Sequence, residues 1–512
     1  MANYIATDTE LTSVANAIRA KGETSDPLVF PSGFVSAINA IPTGGGGGGS
    51  SDGDVVFIDY DGSVVTAKTK TEINAMTSDS DLPAFPSHAG LIAQGWNWTV
   101  AQLKAQLTAM PDQKVYVGQM YITESGATEI DVEMPEGRLD PILCIAVNGE
   151  VSVDWGDETT PDTVTGAAIS SRVAIPHTYA NSGFYTIKIS VISGVFRFYG
   201  GGNKNNILVK QEPSSSEQYN KVYTNCVKEI RFGIGVNTIG SFSFYNCFSL
   251  TSITIPKSIT SIGSTAFGYC LSLKSIIIPD SITSMNTSMF SYCYSLVSIA
   301  IPYSVTSFLG SLFSHCSSLE GVTIPSNITS IGNSAFSTCS AIRKISIPNG
   351  ITSIGSNVFS TCISITNIVI PNGISAIENS IFLSCNNIKS VTIPNSITQI
   401  KDYAFQNCHS LFNIIIPNNV TAIGSTAFNN CYSLARITVP SSVTSIGNSA
   451  FKNCYGMAEY HILPTTPPTL GTTAFDGIQS DCIIYVPQGA LSAYQSATNW
   501  STYASYMQEE PA

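Results

Sequence analysis

Charge is what this chain has least of. Only 11% of its 512 residues are Asp, Glu, Lys or Arg, and 35 acids against 23 bases leave a net charge of −12. There is no basic run and no interleaving of arginine with aromatics, which removes the electrostatic footprint of a nucleic-acid binder. No stretch reaches about 18 consecutive apolar residues, so no transmembrane helix and no membrane insertion are expected. The opening M-A-N-Y-I-A-T-D-T-E has neither a basic n-region nor an apolar h-region, so no signal peptide is expected. C-x-x-C, a glycine-rich phosphate loop and H-E-x-x-H are all missing, as is an identifiable pair of catalytic carboxylates. The expectation is therefore no enzyme, no cofactor and no metal.

What is present is a period. Of 13 cysteines, ten recur every 23 residues, from Cys247 and Cys270 through to Cys431 and Cys454. A phenylalanine stands three residues before each, from Phe244 to Phe451, and prolines repeat from Pro256 to Pro440 with the same period. One averaged unit reads I-P-x-S-I-T-S-I-G-x-x-A-F-x-x-C-x-S-L-x-x-I-x. Self-similarity of this kind marks a solenoid. In the unit, L-x-x-I-x-I places Leu273, Ile276 and Ile278 as a strand with one buried face, and proline ends it. S-I-T-S-I-G adds a second apolar pair, such as Ile259 and Ile262. A turn or short helix then presents Phe267 and Cys270 to the same side. Twenty-three residues cannot bury that face alone, so stacked coils must cover one another, giving a solenoid on the order of 50 Å long. The repeated cysteines are expected as small, buried, reduced thiols, because single cysteines at this spacing build no tetrahedral zinc site.

The combination of L-x-x-I-x-I-P with A-F-x-x-C resembles the BspA-like class of leucine-rich repeats, found on bacterial surface proteins and some phage proteins. The resemblance covers roughly residues 222–487 and implies a curved solenoid used for adhesion rather than catalysis.

Ahead of the array the sequence reads as several smaller units. Residues 1–43 form a helical docking module, with Leu11, Val14, Ala15 and Ile18 on one helix face. The run Gly44 to Gly49 makes 44–53 a flexible linker. T-E-L-T-S-V-A-N-A-I-R-A-K-G and F-P-S-G-F-V-S-A-I-N-A-I in this opening resemble the N-terminal segment of phage tail and minor structural proteins. Residues 54–136 read as a small α/β domain, with strands at Val55 to Tyr60, Val115 to Ile122 and Glu129 to Met134. Asp59 and Asp61 are spaced like the start of a calcium loop, but the later ligands are missing and turn acids are the better reading. Residues 137–199 resemble a PKD-like β-sandwich through V-S-V-D-W-G-D (Val151 to Asp157) and H-T-Y (His177 to Tyr179), and are read as a spacer. His177 with Asp154 and Asp157 lacks a placed nucleophile, so a structural role is expected. Residues 200–221 read as a linker, 222–464 as the solenoid, and 465–512 as a C-terminal cap. In that cap, Ala490 to Met507 is expected to form one amphipathic helix bearing Leu491, Tyr494, Trp500 and Tyr503.

Positions five and seven residues past each cysteine point out of the strand, so ligand selectivity is expected there. The candidate receptor-binding residues are Ser275, Ile277, Ser298, Lys344, Asn367, Val369, Asn413, Ile415 and Arg436. The leading reading is a phage tail-associated structural protein in the virion, assembled in the host cytoplasm. It would dock on other tail proteins through residues 1–43 and touch a host cell-surface protein or glycan through the solenoid. The alternative is a bacterial surface or secreted BspA-like adhesin. A homo-oligomer remains open, with no heptad to support one.

Overall fold

The computed structural model describes residues 53–198, 208–210 and 225–511. The docking module expected at 1–43, the glycine-rich linker apart from Gly53, and most of the linker expected at 200–221 lie outside these residues.

Three inter-coil ladders join the coils, the first two of them with gaps. The first is the L-x-x-I-x-I strand, with parallel pairs such as Ser275↔Ser298 and Ile276↔Ile299. The second is the S-I pair, as in Ser330↔Ser353 and Ile331↔Ile354. The third is the A-F-x-x-C segment, which forms a turn. Thr265, Phe267 and Tyr269 donate their N–H groups to the carbonyls of Thr287, Met289 and Ser291 at 3.0, 3.0 and 2.8 Å. Two left-handed residues per coil, here Thr265 (φ 57°) and Tyr269 (φ 60°), allow that turn. A non-glycine residue in this region costs roughly 1 kcal/mol or more. The ladder bonds it permits offset the cost.

Inside, the two invariant columns have separate jobs. The phenylalanine rings form one stack from Phe244 to Phe475, with neighbouring centroids 5.2 to 5.9 Å apart. Each cysteine from Cys270 to Cys454 donates its thiol to the carbonyl of the phenylalanine 26 residues earlier, at 3.0 to 3.3 Å. The position therefore suits a small buried side chain that can donate one bond, and cysteine meets both needs. All 13 cysteines are buried and none is in a disulfide. Burial pushes the thiols up, Cys293, Cys385 and Cys454 to about 12.

The ends differ from the sequence expectation in several places. Strands β5 (Thr128–Met134), β6 (Pro141–Asp154), β7 (Asp162–Ala167), β8 (Val173–Pro176) and β9 (Gly183–Phe198) form an antiparallel β module. β5 thus lies outside the α/β unit to which its sequence was assigned, because its partners are β9 and the first coil. Leu208–Lys210, expected within a linker, is a strand paired with β6, and Leu208 is buried. The module read as a spacer is continuous with the solenoid. β5 pairs with the first coil's Val227–Arg231, and β9 pairs with Val236–Ile239, so two solenoid ladders run on into it. One hydrophobic core extends from Ile130 to Met507. Arg231 fastens the junction through two bonds to Asp131 (2.7 and 2.9 Å), with Glu129 and Glu229 alongside.

Within that module, Trp155 stacks on His177 at 4.4 Å, and His177 Nε2 pairs with Asp157 at 2.8 Å. Tyr179 donates its hydroxyl to the Trp155 carbonyl. These contacts lock the turn after β6 to the segment that follows β8, which is a structural arrangement.

At the far end Phe475 continues the ring stack, and Thr469–Leu470 pairs with Ser445–Ile446. Another coil therefore occupies the start of the region read as cap. The expected single helix is three pieces: a helix Leu491–Ser496, a 3-10 turn Trp500–Tyr506 and a strand Met507–Glu509. The helix ends at Ala497, whose backbone is extended (φ −72°, ψ 148°), and Asn499 (φ 65°) then leads into the 3-10 turn. Trp500 donates its indole N–H to Pro468 O, so the aromatics cover the last coil without one continuous helix.

Candidate functional site

The outward strand face begins as two rows of side chains, and the structure divides it into a covered half and an open half. The cover is the chain's own α/β module. Its strands β1 (Val55–Ile58), β2 (Val64–Lys68), β3 (Leu91–Trp96) and β4 (Val115–Thr123) are ordered β2-β1-β4-β3, with β1 and β4 parallel. Helix α1 (Lys70–Ala75) follows β2, and α2 (Val100–Ala109) follows β3. One sheet face packs on α2, where Leu103 and Leu107 meet Phe57 and Trp98. The opposite face lies on the solenoid, with Val56, Ile58 and Met120 sharing a buried cluster with Ile277 and Ala300. The V-V-F-I of β1 is buried on both faces, so it reads as an unbroken apolar run and not as alternation.

Hydrogen bonds to the solenoid backbone fix the docking. Asn97 donates through Nδ2 to the carbonyls of Ile278 and Ala300, both at 3.1 Å. Trp98 donates its indole N–H to Ile301 O at 2.8 Å. Gln106 donates to Ile324 O and accepts from Ser326 N–H, while Gln94 accepts from Lys257 N–H. Thr323 accepts from Tyr116 N–H at 2.8 Å and donates to Lys114 O. Two glycines admit the approach. A Cβ on Gly118 would stand 2.5 Å from the Ile277 side chain, and one on Gly321 would stand 2.4 Å from the Tyr116 hydroxyl.

The candidate residues therefore part company. Ser275 and Ile277 are 1% and 2% exposed, and Ser275 donates to Tyr60 O, so both leave the list of surfaces open to a partner. Ser298 is half-buried at the same interface. Lys344, Asn367 and Asn413 are exposed, while Val369 and Ile415 are 64% and 75% exposed. Arg436 is exposed but pairs with Glu459. The His461 hydrogen bond to Glu459, reinforced by Arg436, holds that carboxyl below its usual range.

Where cover ends, a cleft of about 460 Å³ opens between the loop after α2 and the coils at 343–369. Met110 and Pro111 form one wall, and Ile345, Ile347 and Val369 the other. Strand pairing lapses here: the first ladder stops at Val322 and resumes at Asn367. Lys344 reaches across to donate to Asp112 O at 3.3 Å.

Sequence reasoning missed the interface residues Asn97, Trp98, Gln106, Tyr116, Gly118 and Gly321. A signal for them exists in the row five past each cysteine. It holds Ser252, Ser275, Ser298 and Gly321, all small and uncharged, and then changes to Lys344 and Asn367. Among the described residues no group of three or more His, Cys, Asp or Glu side chains is placed to hold a metal ion. No helix among them is long and apolar enough to cross a membrane.

A family model described as the BspA type leucine-rich repeat region matches residues 216–343 and 329–458. No curated protein matches the chain. Among solved structures, a leucine-rich repeat protein from Bacteroides ovatus is 22% identical, covering 63% of this chain and 97% of that one with a TM-score of 0.46. A leucine rich cell surface protein from Faecalibacterium prausnitzii is 28% identical over 47% of this chain and 81% of that one, with a TM-score of 0.33. A leucine-rich repeat protein from Eubacterium ventriosum is 18% identical over 57% and 92%, with a TM-score of 0.37. At these TM-scores none of the three bears on what this chain binds.

Proposed function

We propose, from the match of the BspA type leucine-rich repeat model to residues 216–343 and 329–458, that this protein is an adhesin-type recognition protein. It binds a macromolecule through the open strand face and the cleft beside it. One observation carries this: four coils of the face already hold a folded module through apolar contact and backbone-directed hydrogen bonds. The remaining coils present the same scaffold uncovered, with Val369 and Ile415 standing in solvent. Exposed apolar side chains set among polar ones on a rigid sheet suit a partner surface.

The adhesin reading, second on the sequence, takes first place because the family match lies in the repeats and does not reach the N-terminal segments. The phage tail reading rests on those segments, which lie outside the described residues, and it would use the same binding face. The test is flow cytometry of labelled full-length protein on a panel of intact bacteria. V369D/I415D is expected to keep its melting temperature and lose cell binding. Binding equal to the parent overturns the assignment to this face.

A further inference from the structure

The open face differs in charge from the molecule that carries it. Lys344 is exposed on that face, Arg343 and Lys389 are exposed beside it at the preceding position of their coils, and the ion pairs of Lys257 with Asp280, Lys401 with Glu378, Arg436 with Glu459 and Lys452 with Asp476 include none of them. Between Arg343 and Arg436 the sequence has only two acids, Glu378 and Asp402. Both sit away from the strand row: Glu378 is held by Lys401, and Asp402 accepts from Ser425 N–H. The nearest acids at the cleft are Asp112 on its module wall and Glu320 one coil back. A chain of net charge −12 thus carries three exposed cations outside these ion pairs on one uncovered surface.

Those cations flank an apolar slot. Arg343 and Lys344 line the cleft with Met110, Pro111, Ile345 and Ile347. Lys389 lies two coils further on, about 10 Å away at ordinary strand spacing. That distance equals about three residues of extended chain.

We propose that the cleft and the adjoining open face bind an extended acidic peptide segment of a partner protein. A large apolar side chain enters between Met110 and Ile347. Two carboxylates about three residues apart meet Arg343 with Lys344 at one end and Lys389 at the other. A polypeptide is favoured over an anionic glycan for two reasons. The apolar walls of the cleft give a sugar chain little to bury. The lapse in strand pairing at 343–347 also leaves main-chain groups along the cleft that an extended backbone can meet. The face is continuous with the one that already holds the α/β module. This inference rests on the strand-face reading above and narrows it to a partner chemistry.

The test is a random dodecapeptide display selected on immobilised full-length protein. The best peptide is then synthesised and titrated by fluorescence anisotropy, with dextran sulfate as the polyanion control. Enriched peptides are expected to carry two Asp or Glu three positions apart beside a Leu, Ile, Met or Phe. R343E/K344E/K389E should weaken the peptide on the order of tenfold or more, since three exposed charge contacts are removed and reversed. A peptide with lysine in place of each acid should regain affinity for that variant. Selected peptides without acids, no selected peptide at all, or undiminished binding to the triple variant would overturn the proposal. So would dextran sulfate binding that needs the same three cations while acidic peptides do not bind. Loss with V369D/I415D but not with the charge reversal sinks only the acidic chemistry. Undiminished binding to both variants sinks the strand-face reading itself.

Discussion

The coils around Ile277 and Ala300 and those around Val369 and Ile415 are built from one repeat, yet they live in different environments. Ile277 and Ile415 occupy the same position in their coils; the first is 2% exposed and the second 75%. Their inward neighbours Ile276 and Ile414 are both buried, at 0% and 5%. The repeat therefore decides what faces the core, and nothing in the repeat decides what covers the outside. A module encoded some 200 residues earlier does that.

The comparison breaks most sharply with a charge at the paired positions. Ile277→Asp buries an unpaired carboxylate at the interface and should cost about 3 kcal/mol or more, releasing the α/β module to protease. Ile415→Asp should change stability by no more than about 0.5 kcal/mol. Thermal unfolding and limited proteolysis read both. Equal losses would mean that the two halves are not covered differently.

Alkaline titration should come next, and it should treat the halves alike. The folded thiols are raised, Cys293 and Cys385 to about 12, while unfolded thiols ionise near pH 8.5 or so. A raised value favours the protonated folded form, so this contribution is intact below about pH 8.5 and drains away as pH climbs toward the folded value. Each thiol contributes up to about 1.4 kcal/mol per pH unit in that window. The melting temperature should fall steeply above about pH 9, and replacing several repeat cysteines by alanine should flatten the slope.

Gly321→Val tests the fit of the cover. Its side chain would enter the space of Tyr116, and overpacking costs about 1–3 kcal/mol. Tyr116→Ala in the same chain should recover part of it, whereas Asn367→Val, at the equivalent open position, should be close to silent. The smallest expected effect is Cys362→Ala, which removes the thiol donor to Phe336 O and costs about 1 kcal/mol. Cys270→Ala in the covered half should cost the same.

Much of this was legible in the chain. The period, the inward Ile and Phe columns and the buried thiols follow from counting, because a 23-residue unit has few ways to hide its apolar positions. The partner of each thiol was not legible, since it depends on which carbonyl the turn presents 26 residues back. A third of the candidate residues were misplaced for a related reason: Ser275, Ile277 and Ser298 look like surface residues until Asn97, Trp98 and Gly118 arrive. The single helix expected over Ala490 to Met507 stops at Ala497, whose extended backbone lets Trp500 and Tyr503 turn onto the last coil.

By itself, the sequence determined a stack of coils with a greasy, uncharged interior, because local periodicity repeats the same burial problem every 23 residues. Only the tertiary structure decided which coils remain open, because covering a face depends on shape and backbone hydrogen bonds between segments far apart in the chain. Those contacts leave no period to read.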